Sequence, residues 1–270
     1  MFPPCAVRLA ALLLVLPASV FAQAWVQPER SQANLDALAR VQVRTHVLPE
    51  APGVQIPYGV YVPTSYDAGR PTPLVVALHG LGSDEMYMME YNNLVELAER
   101  YGYLVTTPLG FNERGWYGSR GPGNTSRDPN AQPANLGELS ERDVMAVLAL
   151  MKRDFNVDAD RTYLIGQSMG GGGTWHLGMK YPEVWAALAP MAPAIYSSPD
   201  AVVAARDVPV MVIHGDADET VDVEISRRWV AKMRELGMEH VYIEVPGGSH
   251  ASAGRENIDR VFEFLSRHHR

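Results

Sequence analysis

Apolar runs alternate with amphipathic segments along most of the chain. Leu74–Leu78 is continuously apolar, which is typical of a strand covered on both faces. Leu136–Phe155 instead places Val144, Val147 and Met151 on one stripe, the pattern of a helix that is buried on one side. The predicted strands are Val41–Val47, Tyr58–Val62, Leu74–Leu78, Tyr103–Thr107, Thr162–Ile165, Ala186–Met191, Val208–Ile213 and His240–Val245, and the predicted helices are Asp84–Tyr101, Leu136–Phe155, Ser168–Tyr181, Glu224–Leu236 and Asn257–His268.

This alternation predicts an α/β fold. Repeated strand–helix pairs of such lengths favour a mainly parallel sheet of about eight strands with helices on both faces. The first two strands are predicted to form an antiparallel opening pair. No internal repeat or shift in composition marks a second domain.

The segment from Pro108 to Pro133 interrupts the alternation and is predicted to be a loop. Glycine, proline, asparagine and arginine dominate it, and a loop of this length inside one domain is usually functional or disordered. Trp116 and Tyr117 stand among its polar residues. They are candidate substrate-binding side chains, with aromatic cover for the core as an equally good interpretation.

Residues 1–24 are predicted to be a secretory signal peptide. One arginine precedes a short apolar run, and small residues follow it, so cleavage is expected after Ala22 or Ala24. A retained membrane anchor is the alternative, although the run is short for a membrane-spanning helix. We therefore expect residues 25–270 to form a single domain without a stable membrane anchor, either secreted or periplasmic.

Composition and charge narrow the expected partners. Cys5 is the single cysteine and lies in the predicted signal, so the remaining chain has neither a disulfide nor a thiol nucleophile. The net charge is −8, and no basic cluster of the kind that nucleic-acid binding requires is found. No His-Glu-x-x-His or phosphate-loop pattern is present, so neither a metal nor another cofactor is expected.

The sequence Gly-Gln-Ser-Met-Gly at Gly166–Gly170 is the main chemical signal. It directly follows a predicted strand and opens a predicted helix. A sharp strand–turn–helix of this kind holds a nucleophilic serine above the edge of a sheet. Ser168 is therefore the candidate nucleophile, and it needs a base because its hydroxyl reacts poorly at neutral pH.

Loops after two later strands contain candidate partners for this serine. His250 ends a Pro-Gly-Gly-Ser-His sequence and is the candidate base, while Asp216, Asp218 and Asp222 share the loop after the preceding strand. Asp222 is suited to cap the next helix, and Asp216 to brace its own turn. A calcium loop is excluded because its central glycine and final glutamate are missing.

Two backbone N–H groups are candidates for stabilising a negatively charged oxygen. One belongs to Met169, directly after the candidate nucleophile, and the other to Leu81 in the loop His79–Gly82 after an early strand. A tight turn without any chemical role is the alternative for that loop.

Three segments carry a resemblance to a known family. They are Asp-Arg-Thr-Tyr-Leu-Ile-Gly-Gln-Ser-Met-Gly-Gly at 160–171, His-Gly-Asp-Ala-Asp-Glu-Thr-Val at 214–221 and Pro-Gly-Gly-Ser-His at 246–250. From about residue 73 to residue 250 the chain resembles a secreted carboxylesterase-type α/β-hydrolase. It is similar to feruloyl esterases, polyhydroxybutyrate depolymerase-like esterases and prolyl oligopeptidase-related hydrolases. The segment 79–83 also resembles acyl-protein thioesterase-like carboxylesterases.

The resemblance implies the α/β-hydrolase fold and a serine esterase. In such families the acid follows His-Gly-x-x-Asp, which implies Asp218 beside Ser168 and His250, with Leu81 and Met169 as the oxyanion hole. Asp222 departs from the family pattern, since a proline is common there. The expected partner is a small-molecule or polymeric ester, and feruloyl, acetyl-glycan, short aliphatic and polyester substrates all stay open. A prolyl oligopeptidase-like peptidase and a non-catalytic binding protein are the alternatives, and no pattern indicates the oligomeric state.

Overall fold

A computed structural model describes residues 29–125 and 132–270. Strands and helices alternate through both ranges. The strands are β1 (Gln42–His46), β2 (Ile56–Tyr61), β3 (Thr72–Leu78), β4 (Leu104–Pro108), β5 (Val157–Gln167), β6 (Ala187–Met191), β7 (Val210–Gly215) and β8 (His240–Val245). The helices are α1 (Gln32–Leu38), α2 (Met86–Met89), α3 (Leu94–Tyr101), α4 (Leu136–Asp154), α5 (Met169–Lys180), α6 (Glu224–Glu235), α7 (Ser252–Arg255) and α8 (Ile258–Leu265), and Trp116–Gly118 and Pro199–Ala205 form short 3-10 helices.

All eight of these strands belong to one sheet, in the order β1-β2-β4-β3-β5-β6-β7-β8. β1 pairs antiparallel with β2, and β2 pairs antiparallel with β4. Every further pairing, from β4 to β8, is parallel. The predicted fold class, including the antiparallel opening pair, is confirmed.

The sheet is covered on both faces, as its apolar central strands require. Alternate side chains of β3 point to opposite sides: Leu74, Val76 and Leu78 join one apolar cluster, while Val75 and Ala77 join the other. Helices α4, α5 and α6 pack on the first cluster. Helices α1, α2, α3, α7 and α8 pack on the second. The carboxyl ends of the parallel strands are left uncovered for loops.

Some predicted boundaries are wrong. The helix predicted over Asp84–Tyr101 is two helices, since the first ends at Met89 and the backbone between them leaves the helical conformation, with a positive φ of 45° at Asn92. The Asn92 side chain donates a hydrogen bond to the Arg255 carbonyl at 2.8 Å, which links this break to a segment distant in sequence. The C-terminal helix begins at Ile258 and ends at Leu265, and the short helix α7 precedes it.

The predicted signal peptide, residues 1–24, lies outside the described residues. Across residues 29–125 and 132–270, no helix combines the length and the apolar character that a membrane crossing needs.

Candidate active site

Ser168 occupies the turn between β5 and α5. Its backbone has a φ of 59° and a ψ of −117°, a conformation that residues other than glycine rarely adopt. Gly170 makes the turn possible, since a Cβ atom there would lie 2.1 Å from the carbonyl oxygen of Leu78. The tight packing of α5 against the end of β3 thus leaves the Ser168 hydroxyl partly exposed above the sheet edge.

His250 and Asp218 reach this serine from the loops after β8 and β7. The Ser168 hydroxyl lies 2.8 Å from Nε2 of His250, in position to donate its proton. On the other side of the ring, Nδ1 of His250 lies 2.7 Å from Oδ2 of Asp218. The hydroxyl, imidazole and carboxylate therefore form one continuous hydrogen-bonded chain. The His250 side chain is one-fifth exposed, while that of Asp218 is fully buried.

The Asp218 carboxylate is surrounded by hydrogen-bond donors. Its Oδ1 atom accepts the N–H groups of Thr220 and Val221 at 2.8 and 2.9 Å. Burial by itself raises the pKa of Asp218, but hydrogen bonds from His214, His250 and Val221 outweigh it and hold the pKa well below its usual range. Asp218 is therefore ionised at neutral pH and can stabilise a positive charge on His250.

The two neighbouring aspartates, Asp216 and Asp222, make hydrogen bonds elsewhere. Asp216 accepts the Gly247 N–H at 2.6 Å and so ties the loop after β7 to the loop that carries His250. This differs from the predicted brace within its own turn. Asp222 accepts the N–H of Glu224 at the start of α6 at 2.9 Å, as expected of a helix cap. Of the three aspartates, only Asp218 contacts His250.

Two side chains that the sequence analysis did not single out support this arrangement. His214 is fully buried, and its Nε2 lies 3.2 Å from Oδ2 of Asp218, while Ser226 bonds its Nδ1 at 2.7 Å. Gln167 donates to the carbonyl oxygen of His250 at 2.9 Å. The sequence offers one indication of this role for His214, which is its position at the end of a strand directly before the aspartate loop. The sequence offers no such indication for Gln167, because its partner His250 is 83 residues away.

The loop His79–Gly82 lies beside the serine. A Cβ atom on Gly80 would be 3.5 Å from the Cβ of Ser168, so the backbone of this loop passes close to the hydroxyl. Within the described part of the chain, neither the Leu81 N–H nor the Met169 N–H donates to a protein acceptor. Two unpaired donors next to a hydroxyl suit a site that receives a negatively charged oxygen.

Trp116 and Tyr117 lie close to this loop, but Tyr117 is fully buried. Its hydroxyl accepts the N–H of His79 at 3.1 Å, which makes it a support for the loop. With no exposed surface, Tyr117 does not form a wall that a substrate can touch. Trp116 retains 8% exposure and is the remaining candidate contact of the pair.

Other histidines are paired within the fold. His46 lies 2.6 Å from the buried carboxylate of Asp143. His176 lies 2.7 Å from the Glu141 carboxylate. Among the residues that the structure describes, no group of three or more His, Cys, Asp or Glu side chains is arranged to hold a metal ion.

Sheet order and the sharp strand–turn–helix at Ser168 together define the class: a protein of the α/β-hydrolase fold. The model of the Esterase family matches residues 50–253, and the chain belongs to that family.

Individual relatives agree with this membership. The chain is 29% identical over 166 residues to a bifunctional acetylxylan esterase/xylanase of Neocallimastix patriciarum, covering 61% of this chain and 22% of the relative. It is 29% identical over 130 residues to feruloyl esterase B of Neurospora crassa, covering 47% of this chain and 40% of that protein. The chain thus spans less than half the length of either. The crystal structure of a thermostable esterase superposes with a TM-score of 0.67 at 27% identity, covering 87% of this chain and 64% of the other.

Proposed function

We propose that the protein is a serine hydrolase that cleaves carboxylic esters through a covalent acyl-enzyme. Ser168 is the nucleophile, His250 the general base and acid, and Asp218 the group that orients His250. The main support is the pair of hydrogen bonds on the His250 ring, 2.8 Å to the serine hydroxyl and 2.7 Å to the aspartate. One imidazole that bridges a hydroxyl and a buried carboxylate is suited to move a proton between an attacking and a leaving oxygen.

The reaction proceeds in two halves. In the first, Oγ of Ser168 attacks the ester carbonyl carbon while Nε2 of His250 takes its proton. The tetrahedral intermediate then breaks its bond to the alcohol oxygen, and His250 returns the proton to that oxygen. In the second half a water molecule repeats these steps on the acyl-enzyme, which releases the acid and restores the serine.

The backbone N–H groups of Leu81 and Met169 stabilise the charged oxygen of each tetrahedral intermediate. Within the described residues, neither N–H donates a hydrogen bond to another protein atom. Both are therefore free to donate to the substrate. A donor of this kind typically lowers the barrier by about 3 kcal/mol. The buried, ionised Asp218 lowers the energy of the imidazolium that forms at the same time.

The proposed substrates are carboxylic esters of the classes named for the relatives, acetylated xylan and feruloyl esters, or smaller esters of similar chemistry. Export is part of the proposal, with residues 1–24 as the signal and residues 25–270 as one domain. Comparing nitrophenyl esters with peptide anilides tests the peptidase alternative, because amide cleavage requires protonation of a poorer leaving group.

Ser168→Ala tests the nucleophile. The variant should lose labelling by a fluorophosphonate probe and lower kcat on nitrophenyl acetate by about a thousandfold or more, because the acyl-enzyme no longer forms. Ser266→Ala, which removes an exposed hydroxyl at the C-terminal end of α8, is the matched control and should label and react like the wild type. Equal labelling of Ser168→Ala and wild type would overturn the mechanism.

A further inference from the structure

A cavity of about 600 Å³ opens beside the candidate active site. Two chain segments form it, the end of the loop after β4 and the segment after β6. The residues lining it are Ser119, Arg120, Gly121, Thr125, Tyr196 and Ser197.

Both segments are anchored to the turn that holds the nucleophile. Ala194, two residues before Tyr196, donates its N–H to the carbonyl oxygen of Ser168 at 2.9 Å. Gly172, in the first turn of α5, packs against both segments. A Cβ atom there would lie 2.3 Å from the Ala194 carbonyl oxygen and 3.5 Å from the Ser119 hydroxyl. The cavity therefore adjoins the first turn of α5, which begins directly after Ser168.

Arg120 is the charged group of this cavity. Its guanidinium carbon lies 3.5 Å from the centre of the Trp116 ring and 5.2 Å from that of the Tyr196 ring. These aromatic contacts hold the cation in place without using its N–H groups as hydrogen-bond donors. The Tyr196 ring is itself 63% exposed and gives the cavity an apolar flank.

In the described ranges, no carboxylate forms an ion pair with Arg120. This is notable because the chain is acidic and several of its other arginines do form ion pairs. A guanidinium offers five donors in a planar fork, which matches the two oxygens of a carboxylate. Ser119, Thr125 and Ser197, which carry hydroxyl groups, line the same cavity. An ordered cation with unused donors, set beside the nucleophile, has the features of an anion-binding subsite.

We infer that Arg120 binds a carboxylate that the substrate carries away from its scissile ester, so that the preferred substrates are anionic esters. The inference rests on the proposed ester hydrolysis and specifies the substrate class. Trp116 and Tyr196 hold the guanidinium in place, and Tyr196 supplies apolar contact for the carbon chain between the ester and the carboxylate.

Paired esters that differ in one charge test the subsite. The 4-nitrophenyl monoester of adipic acid is compared with 4-nitrophenyl hexanoate for charge on the acyl side. For charge on the alcohol side, 4-acetoxybenzoate is compared with 4-acetoxybenzamide. The ratio of kcat/KM for the anionic over the neutral ester is measured for wild type, Arg120→Gln, Arg120→Lys and Arg206→Gln. Arg206 is an exposed arginine outside the cavity, and its variant controls for the loss of a positive surface charge.

Arg120→Gln should lower this ratio about tenfold for one of the two pairs, mainly through KM, because a charge-assisted hydrogen bond is lost. The pair that responds identifies the side of the ester that carries the charge. Arg120→Lys should keep part of the preference, Arg206→Gln should keep all of it, and added salt should weaken it in the wild type. Unchanged ratios for both pairs, or an equal fall for anionic and neutral esters, would overturn the subsite.

A binding measurement separates this inference from the proposed reaction. Ser168→Ala is titrated calorimetrically with monomethyl adipate and with 4-acetoxybenzoate, and for one of these two ligands the Kd should be about tenfold lower than in a Ser168→Ala, Arg120→Gln double variant. That difference reports the anion subsite even if the wild type hydrolyses no ester in the panel. Equal affinity of the two variants for both ligands would contradict the subsite while leaving ester hydrolysis intact.

Discussion

At the scale of single residues, Asp218 is the point on which the candidate site depends. Its two oxygens receive four donors: two backbone N–H groups and the rings of His250 and His214. Nδ1 of His214 is bonded to Ser226, and its Nε2 faces both the Val221 carbonyl oxygen at 2.9 Å and the Asp218 carboxylate at 3.2 Å. This network keeps Asp218 charged and prevents it from rotating away from His250.

Exchange of Asp218 for asparagine tests its role against that of its neighbour Asp222. Asp218→Asn should lower kcat on a nitrophenyl ester by about 10³- to 10⁴-fold, because an amide favours the wrong tautomer of His250. Asp222→Asn should stay within a few-fold of wild type, since asparagine also caps helices and the residue contacts only the start of α6. Steady-state kinetics on the purified variants measure both values of kcat. A larger loss of kcat in Asp222→Asn than in Asp218→Asn would assign the acid to Asp222.

At the scale of elements, α4 and α5 are joined by one buried carboxylate. Glu141 on α4 bonds Nε2 of His176 at 2.7 Å, Nζ of Lys180 at 2.6 Å and the Tyr181 hydroxyl at 2.7 Å. Burial raises the pKa of Glu141, but these hydrogen bonds outweigh it and lower the pKa to about 2. Because α5 begins directly after Ser168, this link also fixes the helix that supports the nucleophile.

Glu141→Gln should therefore destabilise the protein in a pH-dependent way. The folded-state pKa of about 2 lies below the ordinary value of 4.5, so the stabilisation is complete above that ordinary value and is lost as pH falls toward 2. The free energy of unfolding of the variant should be lower by up to roughly 3 kcal/mol at neutral pH, with the gap narrowing in acid. Urea titrations at several pH values measure this gap.

The control for this effect is Glu263→Gln, which neutralises a half-exposed glutamate whose distance to Arg267 is 4.0 Å. Its unfolding free energy should differ little from wild type at any pH, since exposed pairs contribute little. A gap for Glu141→Gln that stayed constant between pH 7 and pH 3 would show that the loss is one of packing and not of charge.

At the scale of the whole molecule, one sheet serves both apolar clusters. Alternate side chains of the same strands belong to one cluster or the other. Unfolding of the sheet would therefore disrupt the apolar clusters on both of its faces. Trp175 and Trp229, whose ring centres are 4.6 Å apart, lie in the cluster under α5 and α6. Tyr103, Tyr163 and Phe262 lie in the cluster on the other face.

We predict that the described domain unfolds as a single cooperative unit. In urea, tryptophan fluorescence, which reports the α5 and α6 side, should change at the same midpoint as far-ultraviolet circular dichroism, which reports all elements. Loss of the proposed esterase activity should occur at or below this midpoint, since the candidate site is built from loops on three strands. A fluorescence midpoint clearly separated from the dichroism midpoint would instead indicate two independently stable layers.

Much of the fold is determined by the sequence alone. Continuous apolar runs such as Leu74–Leu78 and the helical stripe of α4 are local patterns, and burial of a strand or a helix face follows directly from them. The order of the serine, aspartate and histidine segments, each after a predicted strand, also follows from the sequence. Because carboxyl ends of parallel strands share one edge of a sheet, that order was enough to predict that Ser168 and His250 come close.

Only the tertiary structure decides which side chains meet at that edge. Gln167 against His250, the burial of Tyr117 and the stacking of Arg120 on Trp116 have no local signature. Several of these contacts join residues that are far apart in sequence, and all depend on the direction in which each loop leaves the sheet. Periodicity records which face of an element is buried, whereas the identity of the partner is set by packing across the whole molecule.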